Sequence, residues 1–141
     1  MKTISIIAAL LWAGSGAYAQ GTIQVAFTDL ESNEGQVYVC LFDQEEGFPG
    51  LKKATMVEKV AVNDKQARYV FSDLPLGTYA ISVMHDENGD GEIERNWMGI
   101  PKEKVGISKM SKSRSRPSFD KAKFTLTTAQ PDHVLTITPF N

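Results

Sequence analysis

Short apolar runs with a two-residue period, separated by turn residues, follow one another along this chain. In the first run, Ile23, Val25 and Phe27 alternate with polar or small neighbours. The runs predicted as strands lie at 22–30, 36–42, 55–62, 66–71, 79–85, 124–128 and 133–138. About seven short alternating strands predict an all-β, single-domain antiparallel sandwich, immunoglobulin-like or transthyretin-like in class. A closed barrel of similar strands is the alternative.

Two runs carry more specific expectations. The run 36–42 is apolar on both faces, which predicts a central strand, and its Cys40 is expected to be a buried core thiol. The runs 55–62 and 66–71 flank Asn63-Asp64-Lys65, and this three-residue connection predicts a hairpin.

The N-terminal residues predict export. Lys2 precedes an apolar run, and Ala17-Tyr18-Ala19 has the small-x-small pattern of a signal-peptidase site. We therefore expect a secretory signal peptide at 1–19, cleavage after Ala19, and a mature β-sandwich domain at 20–141 that is secreted or periplasmic. We expect no transmembrane segment in the mature chain, because no later apolar run reaches the roughly 20 residues that a spanning helix needs.

The composition argues against some partners and against a covalent framework. Of the 15 basic residues, 14 remain after Lys2 is removed, against 17 acidic ones, so the net charge of −3 provides no basic footprint for nucleic acid. One cysteine also excludes an internal disulfide.

The segment 86–123 is too long for an ordinary connection and is expected to be an irregular, functional loop. Its first part, residues 86–94, is acidic and is called the acidic loop below. Asp86, Asn88 and Asp90 stand two residues apart and are followed by Gly91, which is the spacing D-x-N-x-D-G of a calcium loop. Ca²⁺ prefers six to eight oxygen ligands, so we expect a calcium site formed by Asp86, Asn88, Asp90, Glu92 and Glu94.

The acidic loop departs from an EF-hand, because Trp97 stands where the closing glutamate would be and no helix pair flanks the loop. A last carboxylate would come from Glu94 or from outside the run. The alternative is a solvated turn, since Asn88-Gly89 and Asp90-Gly91 are both hairpin dipeptides.

The second part of the segment is rich in lysine, arginine and serine. This composition suits either a patch for an anionic surface or a solvated loop. Trp97 is expected either to fix the start of this excursion to the sandwich or to stack on a sugar.

Catalytic patterns are poorly represented. His85 and His133 are the only histidines, and no zinc-ligand spacing or nucleophile elbow is present. We expect a non-enzymatic module that binds an envelope protein or glycan through its loop. The alternative is a small periplasmic hydrolase or isomerase with a site near His85 and Asp86.

Five segments, read in order, are GFP, FSDLPLGTYA, HDENGDG, NWMGIPKE and PSFDKAKF, at 47–49, 71–80, 85–91, 96–103 and 117–124. With them the chain resembles an exported bacterial family known only as domain of unknown function 2141. The resemblance implies secretion and a compact β domain, with no established activity. The entry into the strand at Tyr79 is also similar to transthyretin-like and collagen-adhesin B-type modules, some of which carry a calcium loop on a sandwich.

Overall fold

The protein is a two-layer β-sandwich in a computed structural model that describes residues 18–92, 103–111 and 116–140. Residues 1–17, which belong to the predicted signal peptide, and Glu94 and Trp97 lie outside these ranges. The described residues form eight strands: β1 Gln20–Phe27, β2 Gln36–Phe42, β3 Met56–Ala61, β4 Ala67–Pro75, β5 Gly77–Asp86, β6 Lys104–Ile107, β7 Phe124–Leu126 and β8 Asp132–Ile137. A 3₁₀ turn at Leu51–Lys53 and a one-turn helix α1 at Phe119–Ala122 complete the regular elements of the described chain.

The strands form two sheets that enclose the core. One sheet has the order β4-β1-β8; the other has the order β3-β2-β5-β6, with β7 pairing the beginning of β5. Most pairs are antiparallel, but β1 and β8 run parallel from Thr22↔Asp132 to Phe27↔Ile137. The predicted sandwich is confirmed, with one parallel pair that the alternation of side chains does not reveal.

The core follows the predicted alternation. Ile23, Val25 and Phe27 of β1 face Val37, Val39 and Leu41 of β2 across the sandwich, and all six are buried. A second apolar cluster lies on the opposite face of β2 and β5, where Tyr38, Cys40, Phe42 and Met84 pack beneath Phe48, Leu51 and Phe119. Because β2 also lies between β3 and β5, its prediction as a central strand is confirmed.

Cys40 is part of this second cluster and is 2% exposed. Its burial raises the pKa of the thiol to about 11. The thiol is therefore protonated at neutral pH, and the prediction of a buried core cysteine is confirmed.

The hairpin predicted around Asn63-Asp64-Lys65 is wrong in its pairing. The turn exists, with Asn63 and Gln66 exchanging backbone hydrogen bonds of 2.9 and 3.0 Å, but β3 and β4 then enter different sheets. The physical reason is that β4 buries Phe71 and Leu74 against β1, whereas β3 adds to the edge of β2.

Replacing Lys65 with glycine should stabilise the protein, by about 0.5 kcal/mol. Asp64 and Lys65 have φ values of 52° and 55°, as a type I′ turn requires. Positive φ is unfavourable for a residue with a Cβ and is readily adopted by glycine. Chemical denaturation of Lys65→Gly and of Lys52→Gly tests this, because Lys52 lies in the 3₁₀ turn at ordinary φ and should lose stability instead. Equal effects in the two variants would contradict the turn assignment.

The segment 86–123 is more regular than expected. Residues 104–107 form β6 along β5, and its Gly106 lies so close to Ile137, Phe27 and Val83 that a Cβ would meet their side chains at 2.5–3.0 Å. Ser108 then connects three elements: its backbone N donates to Ile81 O, its Oγ accepts from Ile81 N, and its Oγ donates to Ala122 O. The prediction of an irregular loop is therefore wrong for this part of the segment, which forms a strand of the second sheet.

Helices contribute little to this architecture. Among the described residues, none of the helical segments has the length and apolar character needed to cross a bilayer.

Candidate cation site at the end of β5

The site begins where β5 ends. Asp86 is the last residue of the strand, pairs with Gln36 of β2 and is fully buried. Its Oδ1 accepts the backbone N–H of Gly89 at 2.9 Å, and its Oδ2 accepts that of Gly91 at 2.8 Å. The buried carboxylate therefore folds the following residues back over the end of the strand. A carboxylate has about four lone-pair positions, so each oxygen keeps acceptor capacity.

The next residues continue the same pattern. Asn88 Oδ1 accepts the N–H of Asp90 at 3.1 Å, and Asp90 Oδ1 accepts that of Glu92 at 2.9 Å. Gly89 and Gly91 have φ values of 75° and 74°, a region that favours glycine. Gly91 thus lies in a tight turn at positive φ, and the oxygen-bearing side chains organise the loop backbone.

A third carboxylate comes from outside the predicted run. Glu103, directly before β6, is 9% exposed, and ligand oxygens of Asp86, Asp90 and Glu103 all lie within 4.8 Å of one another. Pairing of β6 with β5 brings Glu103 to the end of β5. Local spacing does not identify Glu103 as a ligand; the one sequence signal for it is that the loop lacks a closing glutamate of its own.

The remaining predicted ligands have different positions. Asn88 is exposed and donates from Nδ2 to Asp90 Oδ2 at 3.1 Å. Glu92 is also exposed and lies on the wall of a neighbouring cavity. The structure therefore brings Asp86 and Asp90 together with Glu103, while Glu94 stands outside the described residues.

The connection between β1 and β2 packs against the start of the acidic loop. Gly35 has a φ of 70°, and a Cβ there would lie 1.9 Å from the carbonyl oxygen of Asp86 and 2.7 Å from Cα of Glu87. Ser32 Oγ donates to Glu87 Oε1 at 3.2 Å. The backbone of the acidic loop therefore packs directly on Gly35, where any larger residue would clash with it.

His85 belongs to this support. The imidazole is fully buried, its Nε2 donates to the backbone carbonyl of Glu34 at 2.6 Å, and its Nδ1 lies 3.6 Å from Glu87 Oε1. The ring therefore joins β5 to the residues before β2. His133, in the other sheet, donates from Nε2 to the carbonyl of Thr125 at 3.1 Å and contacts the ring of Phe124.

A shallow cavity of about 370 Å³ lies beside the acidic loop. One wall comes from the connection between β2 and β3, and the other comes from the acidic loop. Its lining residues are Gly47, Gly50, Leu51, Lys52, Lys53, Gly91 and Glu92. The volume is at the small end of ligand pockets, about 300–1,000 Å³.

Comparison with known proteins provides a family and no function. The sequence model of a family described as "Uncharacterized protein conserved in bacteria (DUF2141)" matches residues 25–133. This span includes most of the sandwich and all of the described acidic loop. No curated protein and no solved structure matches the chain.

Proposed function

This chain belongs to DUF2141, the family of uncharacterized proteins conserved in bacteria, and we propose that it is an exported, non-enzymatic sandwich module that binds calcium. In this proposal the calcium-ordered loop presents the adjoining surface to an envelope protein or glycan. Export is supported by the signal-like residues 1–19, after which β1 begins at once, at Gln20.

The observation that carries the proposal is the meeting of three carboxylates, two of them buried. Ligand oxygens of Asp86, Asp90 and Glu103 lie within 4.8 Å, and neither Asp86 nor Glu103 is more than 9% exposed. Gathering negative charge where water is scarce is costly unless a positive charge compensates it. A divalent cation supplies two charges at one point.

The chemistry of the donors favours calcium among divalent cations. Carboxylate and amide oxygens are hard ligands, which suit Ca²⁺ or Mg²⁺ rather than metals that prefer thiolate or imidazole. The ligands would be Asp86, Asp90 and Glu103 through their carboxylates, with the side-chain carbonyl of Asn88 at the same loop. Ca²⁺ tolerates the irregular geometry of such a loop better than Mg²⁺ does.

The position of the site explains how a cation would assist binding. Gly91 and Glu92 lie at the acidic loop and also line the cavity, opposite Lys52 and Lys53. A cation held by Asp86 and Asp90 would fix this wall, because both residues hydrogen-bond the backbone of 89–92. The partner surface would then be ordered before contact, which lowers the entropy cost of binding.

The alternative of a hydrolase or isomerase near His85 receives less support. A general base must reach the proton that it abstracts from a substrate. His85 is fully buried and its Nε2 is hydrogen-bonded to the Glu34 carbonyl, an arrangement that supports a structural role.

Calcium titration of the purified protein tests the proposal. We expect saturating calcium to raise the melting temperature, because a ligand at 100 times its Kd stabilises the folded state by about 2.7 kcal/mol. Calorimetry should show binding that Glu103→Gln or Asp90→Asn weakens at least about tenfold, whereas Glu45→Gln, which changes an exposed residue elsewhere, should leave it unaltered. Identical melting in calcium and in chelator would refute the cation site.

A further inference from the structure

In the dipeptide Asn88-Gly89, the side-chain amide of Asn88 is followed by the backbone nitrogen of glycine, a residue that has no Cβ. We infer that Asn88 is a site of spontaneous covalent modification, converting to aspartate and isoaspartate through attack by the Gly89 nitrogen, and that Asp86 controls the rate. Asparagine is among the chemically labile residues of proteins.

The geometry leaves this dipeptide open to the reaction. Asn88 is exposed, and a Cβ placed on Gly89 would have no heavy atom of the described residues within 4 Å. Asp90 N–H donates to Asn88 Oδ1 at 3.1 Å, which withdraws electrons from the amide carbon Cγ and makes it a better electrophile. The nucleophile and the electrophile therefore belong to neighbouring residues, and among the described residues the side-chain position of Gly89 is open.

The reaction needs only water as co-reactant. Gly89 N loses its proton to solvent base, and its electron pair forms a bond to Asn88 Cγ. The Cγ–Nδ2 bond breaks and ammonia leaves with a solvent proton, which produces a five-membered succinimide. Water then opens the ring. Cleavage of the new N–Cγ bond yields aspartate, whereas cleavage at the original backbone carbonyl yields isoaspartate. No electron donor or acceptor is consumed.

Asp86 restrains the first step. Its buried Oδ1 accepts the Gly89 N–H at 2.9 Å, so the attacking nitrogen is held by a charged acceptor in the folded loop. Its Oδ2 holds Gly91 N at 2.8 Å, which keeps the same turn closed. Conversion therefore proceeds through local opening of the loop.

The modification would change the charge and the length of the acidic loop. Aspartate at position 88 adds a carboxylate beside Asp90. Isoaspartate also adds one methylene to the backbone, directly before the turn at Gly89 and Gly91. If the loop binds calcium as proposed, which this part of the inference requires, calcium should slow the conversion by keeping the loop closed.

Incubation of the purified protein in mildly alkaline buffer with chelator, followed by peptide mass mapping, tests the inference. Two other asparagines serve as internal controls, because Asn33 and Asn63 precede Glu34 and Asp64 rather than glycine. We expect conversion at Asn88 before either control, loss of conversion in Asn88→Gln, and slower conversion in Gly89→Ala. In Asp86→Ala, conversion should be at least about tenfold faster, the factor expected for release of a charge-assisted hydrogen bond.

Several results would overturn the inference. These are equal conversion at the three asparagines, an unchanged rate in Gly89→Ala, and acceleration by Asp86→Ala that Asn33 and Asn63 share, since the last would reflect general unfolding. Repeating the incubation in calcium separates the two proposals. Slower conversion of Asn88 in calcium supports both proposals. If Asp86→Ala accelerates the conversion but calcium does not change its rate, the modification site is supported and the cation site is contradicted.

Discussion

Replacement of Gly35 with alanine is expected to lower the free energy of unfolding by about 2–5 kcal/mol. Two effects add: alanine at a φ of 70° is strained, and its Cβ would lie 1.9 Å from the Asp86 carbonyl oxygen, a backbone atom of the central pair β2–β5. Neither β2 nor β5 can move away from the new Cβ without losing hydrogen bonds between the two strands. The melting temperature should fall by about 10 °C or more.

Two other glycines separate these contributions. Gly89→Ala introduces the same strain in φ, at 75°, but in the described part of the chain no heavy atom lies within 4 Å of the new Cβ. Gly77→Ala meets neither problem. Thermal melts should therefore rank the losses Gly35, then Gly89, then Gly77. Losses of similar size in Gly35→Ala and Gly89→Ala would show that the acidic loop does not rest on Gly35 as described.

Replacement of Ser108 with alanine is expected to cost about 2–4 kcal/mol. The serine is fully buried, and its Oγ accepts from Ile81 N at 3.0 Å and donates to Ala122 O at 2.8 Å. Alanine would leave both backbone groups without this partner, and each unsatisfied buried group costs about 1–3 kcal/mol. The hydroxyl substitutes for strand pairing at the point where β5 passes from β7 to β6.

Chemical denaturation and amide hydrogen exchange measure this effect. We expect the exchange of Ile81 N–H to accelerate more than that of Val39 N–H, which lies in the neighbouring β2. Ser72→Ala, on an exposed position of β4, provides the control and should change stability by less than about 0.5 kcal/mol. A Ser108→Ala variant as stable as the control would exclude the bridging role.

Much of the candidate site could be read from local spacing. Asp86, Asn88 and Asp90 do use alternate side-chain oxygens to shape a tight loop, and Gly91 does adopt positive φ, because these contacts span only two to five residues. Glu103 could not be identified in this way. Its place beside Asp86 depends on β6 pairing with β5, and the four residues of β6 are too few to show a period.

The fold class follows from the amino-acid pattern, because alternation of apolar residues shows which face of each strand is buried, and glycine, proline and asparagine mark where strands end. Which strands become neighbours does not follow from that pattern and is seen only in the folded protein. The parallel pair β1–β8, the separation of β3 from β4, and the meeting of Glu103 with Asp86 all depend on how two apolar faces pack together. Periodicity describes burial along one strand, whereas partner choice is settled by the contacts that the whole core satisfies at once.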